Sequence, residues 1–181
     1  MRFTELGVAG VFHLELEPIA DERGFFARTF CAEQFGARGL ATHFAQHSRS
    51  FNHHQGTLRG LHVQAAPHAE AKLVTCLAGA VFDVAVDLRP TSPTYLAHVT
   101  LELSAAARNL IYIPEGVAHG FQTLAAASEL LYHISVPYAP EAARGVRYDD
   151  PTFGIRWPLP VSVISARDLA LPYFDAEASR G

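Results

Sequence analysis

The chain has 181 residues, 49% apolar and 18% charged, which suits one domain with a sizeable core and excludes a disordered chain. Its formal net charge of −4 argues against a nucleic-acid groove built on bulk positive charge. No apolar run approaches the roughly 18 residues of a membrane span, and MRFTELGVAG at the N-terminus lacks a basic region leading into an apolar stretch, so no membrane partner and no signal peptide are expected, and a cytoplasmic location is.

In chain order, the first strand candidate is 11–17, followed by a short helix over 32–38 that ends at Gly39. A strand is predicted over 58–64. The clearest pattern is 72–88, KLVTCLAGAVFDVAVDL, where Phe82, Val84, Val86 and Leu88 alternate with Val81, Asp83, Ala85 and Asp87. That period of two predicts a half-buried strand, and Ala78-Gly79 divides the segment into two. Further strands are predicted over 97–103, 110–113, 120–124 and 129–136, each bounded by Gly, Pro, Asn or Ser. Ser165 ahead of Ala166, Arg167 and Asp168 reads as the N-cap of a brief C-terminal turn. Many short strands with few helices predict an all-β jelly-roll barrel or sandwich, one domain over 1–181, closed around a pocket. Cys31 and Cys76 stand outside any CxxC or Cys/His cluster, which fits a reducing compartment and neither a disulfide scaffold nor a zinc site.

Of the 14 Lys and Arg residues, Lys72 is the single lysine. A coding bias toward arginine accounts for the ratio but leaves Lys72 unexplained; a site that needs a compact ammonium would explain it. In GTLRGLHVQ, residues 56–64, His62 and Gln64 share a strand face. A lone histidine on an apolar strand is most often a satisfied core residue, yet Arg59, His62 and Gln64 together are costly to bury without a purpose. Strict alternation puts Arg59 on the face opposite His62, so a common pocket requires a bulge or kink at Gly60.

The run Pro114-Glu115-Gly116-Val117-Ala118-His119 resembles the second motif of the cupin superfamily, and Gly56, His62 and Gly79 fit the frame of the first. Two ligand positions of that frame hold Gln64 and Lys72 instead of histidine and glutamate. Two histidines beside a cation make a poor divalent-metal site, so no metal is expected. Histidine and lysine together suit metal-free proton abstraction next to a carbonyl, with the ammonium stabilising the enolate.

Across most of the chain the sequence resembles the dTDP-4-dehydrorhamnose 3,5-epimerase family. The carriers are DERGFF (21–26), GTLRGLHVQ (56–64), AKLV (71–74), FDVAVDLR (82–89), SPTY (92–95), IPEGVAHGFQTL (113–124), DDP (149–151) and ISARD (164–168). The resemblance implies a cupin-like jelly-roll subunit, usually a homodimer, that needs no cofactor. It also implies a nucleoside-diphosphate 4-keto-6-deoxyhexose substrate, inverted at carbons flanking the ketone. By the same resemblance His62 is the general base, Asp168 orients it, Lys72 faces the keto oxygen and Tyr132 is the proton donor on the opposite sugar face. Arg23, Phe26, Gln46, Arg59, His119, Tyr138 and Arg167 match positions that bind the nucleotide sugar. An epimerase acting at one carbon, or a non-catalytic cupin-like sugar-binding protein, are the alternatives; mere binding does not require His62, Lys72, Tyr132 and Asp168 together. His43, His53, His54, His68 and His98 carry no motif and are expected at the surface.

Overall fold

The computed structural model describes residues 1–175. In chain order its elements are β1 (Arg2–Glu5), β2 (Phe12–Glu15), β3 (Ile19–Asp21), β4 (Gly24–Phe26), α1 (Ala32–Gly36), β5 (Gln46–Asn52), β6 (Thr57–Gln64), β7 (Lys72–Ala78), β8 (Ala80–Asp87), β9 (His98–Ser104), β10 (Leu110–Ile113), β11 (Val117–Thr123), β12 (Ser128–Ile134), β13 (Ala143–Gly145), β14 (Val163–Ile164) and α2 (Ala166–Leu169). One sheet runs β1-β2-β10-β7-β12-β5, and the other runs β13-β6-β11-β8-β9, with β14 added beside β6. β3 and β4 form a separate hairpin. This is the jelly-roll architecture that the spacing of short strands predicts.

Alternation along the strands decides what fills each layer. Val74 and Cys76 of β7, Ile111 and Ile113 of β10 and Leu130 of β12 meet Val81 and Ala85 of β8, Val117 and Phe121 of β11 and Leu103 of β9 between the sheets. The opposite parity points outward. Leu14, Leu73, Leu110 and Tyr112 are covered by Phe35 of α1, and Leu61, Val84, Val86 and Ala118 by Val146 and Phe153. The expectation of a half-buried strand over 80–88 is therefore corrected: β8 is covered on both faces, because the C-terminal segment adds a layer over the second sheet. At about 25 cal/mol per Å² of apolar surface, this extra layer lets a short strand stabilise the fold from both sides.

The parity places chemistry as well as core. Lys72 shares the inward face of β7 with Val74 and Cys76, and Tyr132 shares that of β12 with Leu130. These polar side chains line one cavity together with Arg59, His62 and His119.

Candidate active site

Gly60 sets the local geometry of β6. Its φ is +120°, and the β6–β11 register shifts between His119 and Phe121 opposite it. A Cβ at Gly60 would lie 2.5 Å from the Gly120 Cα, so the two backbones approach too closely for any other residue. The irregularity turns Arg59 and His62 into one cavity, as the sequence requires if both serve it. It also aims the Gly60 N–H at Asp168, which accepts it on Oδ2 at 3.2 Å.

Asp168 arrives from the far end of the chain. β14 pairs in parallel with the start of β6, matching Val163 to Thr57 and Ile164 to Leu58. Ser165 then caps α2, its Oγ accepting the Asp168 N–H at 3.0 Å, as its N-cap pattern predicts. The Asp168 carboxylate reaches His62, with Oδ1 2.7 Å from Nε2. Burial pushes this carboxyl up, but the His62 bond and charge, the Gly60 N–H and Ser165 together hold it below its ordinary range. An ionised carboxylate only accepts, so it fixes the proton on Nε2 and leaves the Nδ1 lone pair as the basic site.

His62, Lys72, His119 and Tyr132 line one cavity of about 320 Å³, and Asp168 stands behind His62 in an adjoining recess of about 330 Å³. The Lys72 ammonium is 3.0 Å from Glu70 and donates to the His62 carbonyl at 3.4 Å. Burial, and next the Asp83 carboxylate, push the Tyr132 phenol above its usual range, so it is held protonated as an acid. Arg59 donates from Nε to Asn52 at 2.8 Å and lines both recesses, as does Arg167.

Other predicted site residues are placed differently. His119 lines the cavity, but its Nε2 lies 2.8 Å from Oδ2 of the fully buried Asp83, whose carboxyl burial pushes up. Tyr138 lies at the rim, its backbone N–H donating to Gln46 Oε1 at 2.7 Å, so Gln46 holds the Tyr138 segment and does not line the cavity. Arg23 and Phe26 do not line this cavity. They sit on the exposed β3–β4 hairpin, where Asp21 pairs with Arg23 at 2.5 Å and Phe26 is 74% exposed. Gln64 lines the cavity, yet both ends of its amide bind backbone, at His68 and Ala139. Glu70 and Asp83 escape the sequence reading. A two-residue step from Glu70 to Lys72, and an acidic residue on the Val81–Ala85 face of an apolar strand, are the signals that point to them. Among the described residues, no group of three or more His, Cys, Asp and Glu could hold a metal ion.

A histidine–carboxylate dyad and a protonated tyrosine lining one polar cavity of a jelly roll suit an enzyme that moves protons at carbon, and the comparisons place the chain among carbohydrate epimerases. The family model described as dTDP-4-dehydrorhamnose 3,5-epimerase matches residues 5–176. The Sinorhizobium fredii dTDP-4-dehydrorhamnose 3,5-epimerase is 40% identical, covering 95% of this chain and 89% of that protein. A Streptomyces niveus dTDP-4-dehydrorhamnose 3-epimerase is 38% identical, covering 93% and 81%. The crystal structure of the Elizabethkingia anophelis dTDP-4-dehydrorhamnose 3,5-epimerase superposes with a TM-score of 0.93 at 36% identity, covering 96% of each chain. The chain belongs to the dTDP-4-dehydrorhamnose 3,5-epimerase family.

Proposed function

We propose that the chain inverts the C3 and C5 centres of a dTDP-4-keto-6-deoxyhexose through enolate intermediates, without a metal or cofactor. The observation that carries this is the His62–Asp168 dyad opening onto the cavity that Tyr132 and Lys72 line. His62 Nδ1 takes the proton from a carbon beside the ketone. The C–H electrons form the enolate double bond, and the carbonyl oxygen becomes an oxyanion facing the Lys72 ammonium. Tyr132 gives its proton to that carbon from the opposite face, which inverts it, and solvent then resets both groups.

Arg59 and Arg167 suit the diphosphate, which guanidinium grips bidentately. Arg23 and Phe26 belong to a homodimer in this reading. The exposed hairpin and the open edge of β5 suit a second copy, so that Arg23 of the partner subunit reaches the nucleotide. The likeness to a 3-epimerase supports a second reading, inversion at C3 alone.

The test is proton NMR of dTDP-, UDP- and GDP-linked 4-keto-6-deoxyglucose incubated with the protein in heavy water. Loss of the C3 and C5 signals for the dTDP sugar is expected; loss at C3 alone selects the second reading. No exchange with any sugar nucleotide contradicts both. Sedimentation at micromolar concentration is expected to give a dimer.

A further inference from the structure

The Lys72 ammonium has three N–H donors on a flexible four-carbon stem. A catalytic cation so mobile needs a seat, because a donor stabilises an enolate best when it is already aimed at the oxygen. Two contacts provide one: Glu70 Oε1 at 3.0 Å and the His62 carbonyl at 3.4 Å. The Lys72 and Glu70 side chains are only 9% and 10% exposed, and both line the cavity.

We infer that Glu70 is a positioning residue for the epimerisation. With the His62 carbonyl it holds two donors of Lys72, so that the third is presented to the ketone oxygen of the sugar. The second contact matters because it comes from the backbone of the base itself. It ties the position of the cation to the residue that removes the proton, and those two groups must act on neighbouring atoms of one substrate.

Asp83, the other carboxylate near Lys72, does not serve as this seat. Its Oδ2 is taken by His119, and its Oδ1 has no hydrogen-bond partner among the described residues, Lys72 included. Lys72 acts on Asp83 through its charge alone. Glu70 therefore carries the ion pair, although a carboxylate close to a developing oxyanion repels it. That cost is offset only if alignment of the ammonium contributes more to the transition state than the nearby negative charge removes.

The inference rests on the proposed epimerase reaction, and the experiment separates the two. Rates of exchange and inversion, with dTDP affinity measured alongside, are compared for the wild type, Glu70→Ala, Glu70→Gln, Lys72→Met and Glu70→Ala/Lys72→Met. Glu70→Ala is expected to lower kcat roughly 10–100-fold, the scale of a small misplacement in a reacting site, with KM and dTDP affinity within about twofold. Glu70→Gln keeps an acceptor and is expected to recover most of the rate. In the Lys72→Met background the Glu70→Ala change is expected to cost almost nothing, since no ammonium remains to be seated. Wild-type kcat in Glu70→Ala, a glutamine variant no better than alanine, or an undiminished loss in the Lys72→Met background each overturn the positioning role while leaving the epimerase intact. An inactive wild type overturns both.

Discussion

His62 and Asp168 are 106 residues apart in the chain, and their side chains meet at 2.7 Å. Three local devices converge on that contact: the irregularity at Gly60, the parallel pairing of β14 with β6, and the Ser165 cap of α2. The carboxylate fixes the imidazole tautomer, so its loss removes the orientation of the base and not merely a hydrogen bond. Asp168→Asn is expected to lower kcat/KM by roughly 10²–10⁴-fold, with the fold retained by circular dichroism. Initial rates measure it, and a loss below tenfold contradicts the role.

Gly60→Ala tests the backbone device. The added Cβ meets Gly120 Cα at 2.5 Å and the His119 carbonyl at 2.8 Å, at a φ of +120°. Strain and overpacking together cost roughly 3 kcal/mol or more, which lowers Tm by roughly 6–12 °C in a chain of this size. Thermal unfolding measures it; an unchanged Tm removes the argument for that close approach.

Much of this was open to a reading of the sequence, for identifiable reasons. Residues 72–88 read as two strands because their side chains alternate and Gly79 divides them. β5 is invisible to the same reading: QHSRSFN has no apolar alternation, because it is an edge strand with most of its side chains exposed. Both covered faces of β8 are equally hidden, since the layer over its outer face comes from residues about 60–90 positions onward. The site was legible mainly through resemblance. Composition marks Lys72, but no periodicity joins His62 to Asp168. Arg23 has the right motif and lies outside the cavity, paired with Asp21, since a motif carries no information about where the fold places it.

A histidine pair predicts how stability varies with pH. His47 and His133 face each other across β5 and β12, with Nδ1 atoms 2.5 Å apart. Burial, and then His47, hold His133 below its ordinary value of 6.5. The unfolded chain then binds more protons at His133 than the folded one as pH falls through about 6.5, so the fold loses stability at this residue below that pH. His133→Phe is expected to lessen the drop in Tm between about pH 7.5 and about pH 5. An equal or larger drop in the variant contradicts the assignment.

Metal removal is expected to leave the rate unchanged. In the proposed reaction the Lys72 ammonium that lines the cavity faces the carbonyl where a metal would otherwise stand, and His119 is engaged by Asp83. Dialysis against EDTA followed by initial rates checks this. Loss of turnover that a divalent ion restores contradicts it.

The central claim is that proton removal and proton return occur on opposite faces of the sugar, by His62 and Tyr132. The direct measurement is the simultaneous time course of deuterium exchange and inversion, by proton NMR, for the wild type, His62→Asn and Tyr132→Phe. His62→Asn is expected to abolish both. Tyr132→Phe conserves packing and is expected to retain exchange, because His62 still removes a proton and returns a solvent-derived one to the same face. Inversion in that variant is expected to fall much further, by roughly 10²–10⁴-fold. Equal loss of exchange and inversion in Tyr132→Phe, or inversion at the wild-type rate, would contradict the two-face account.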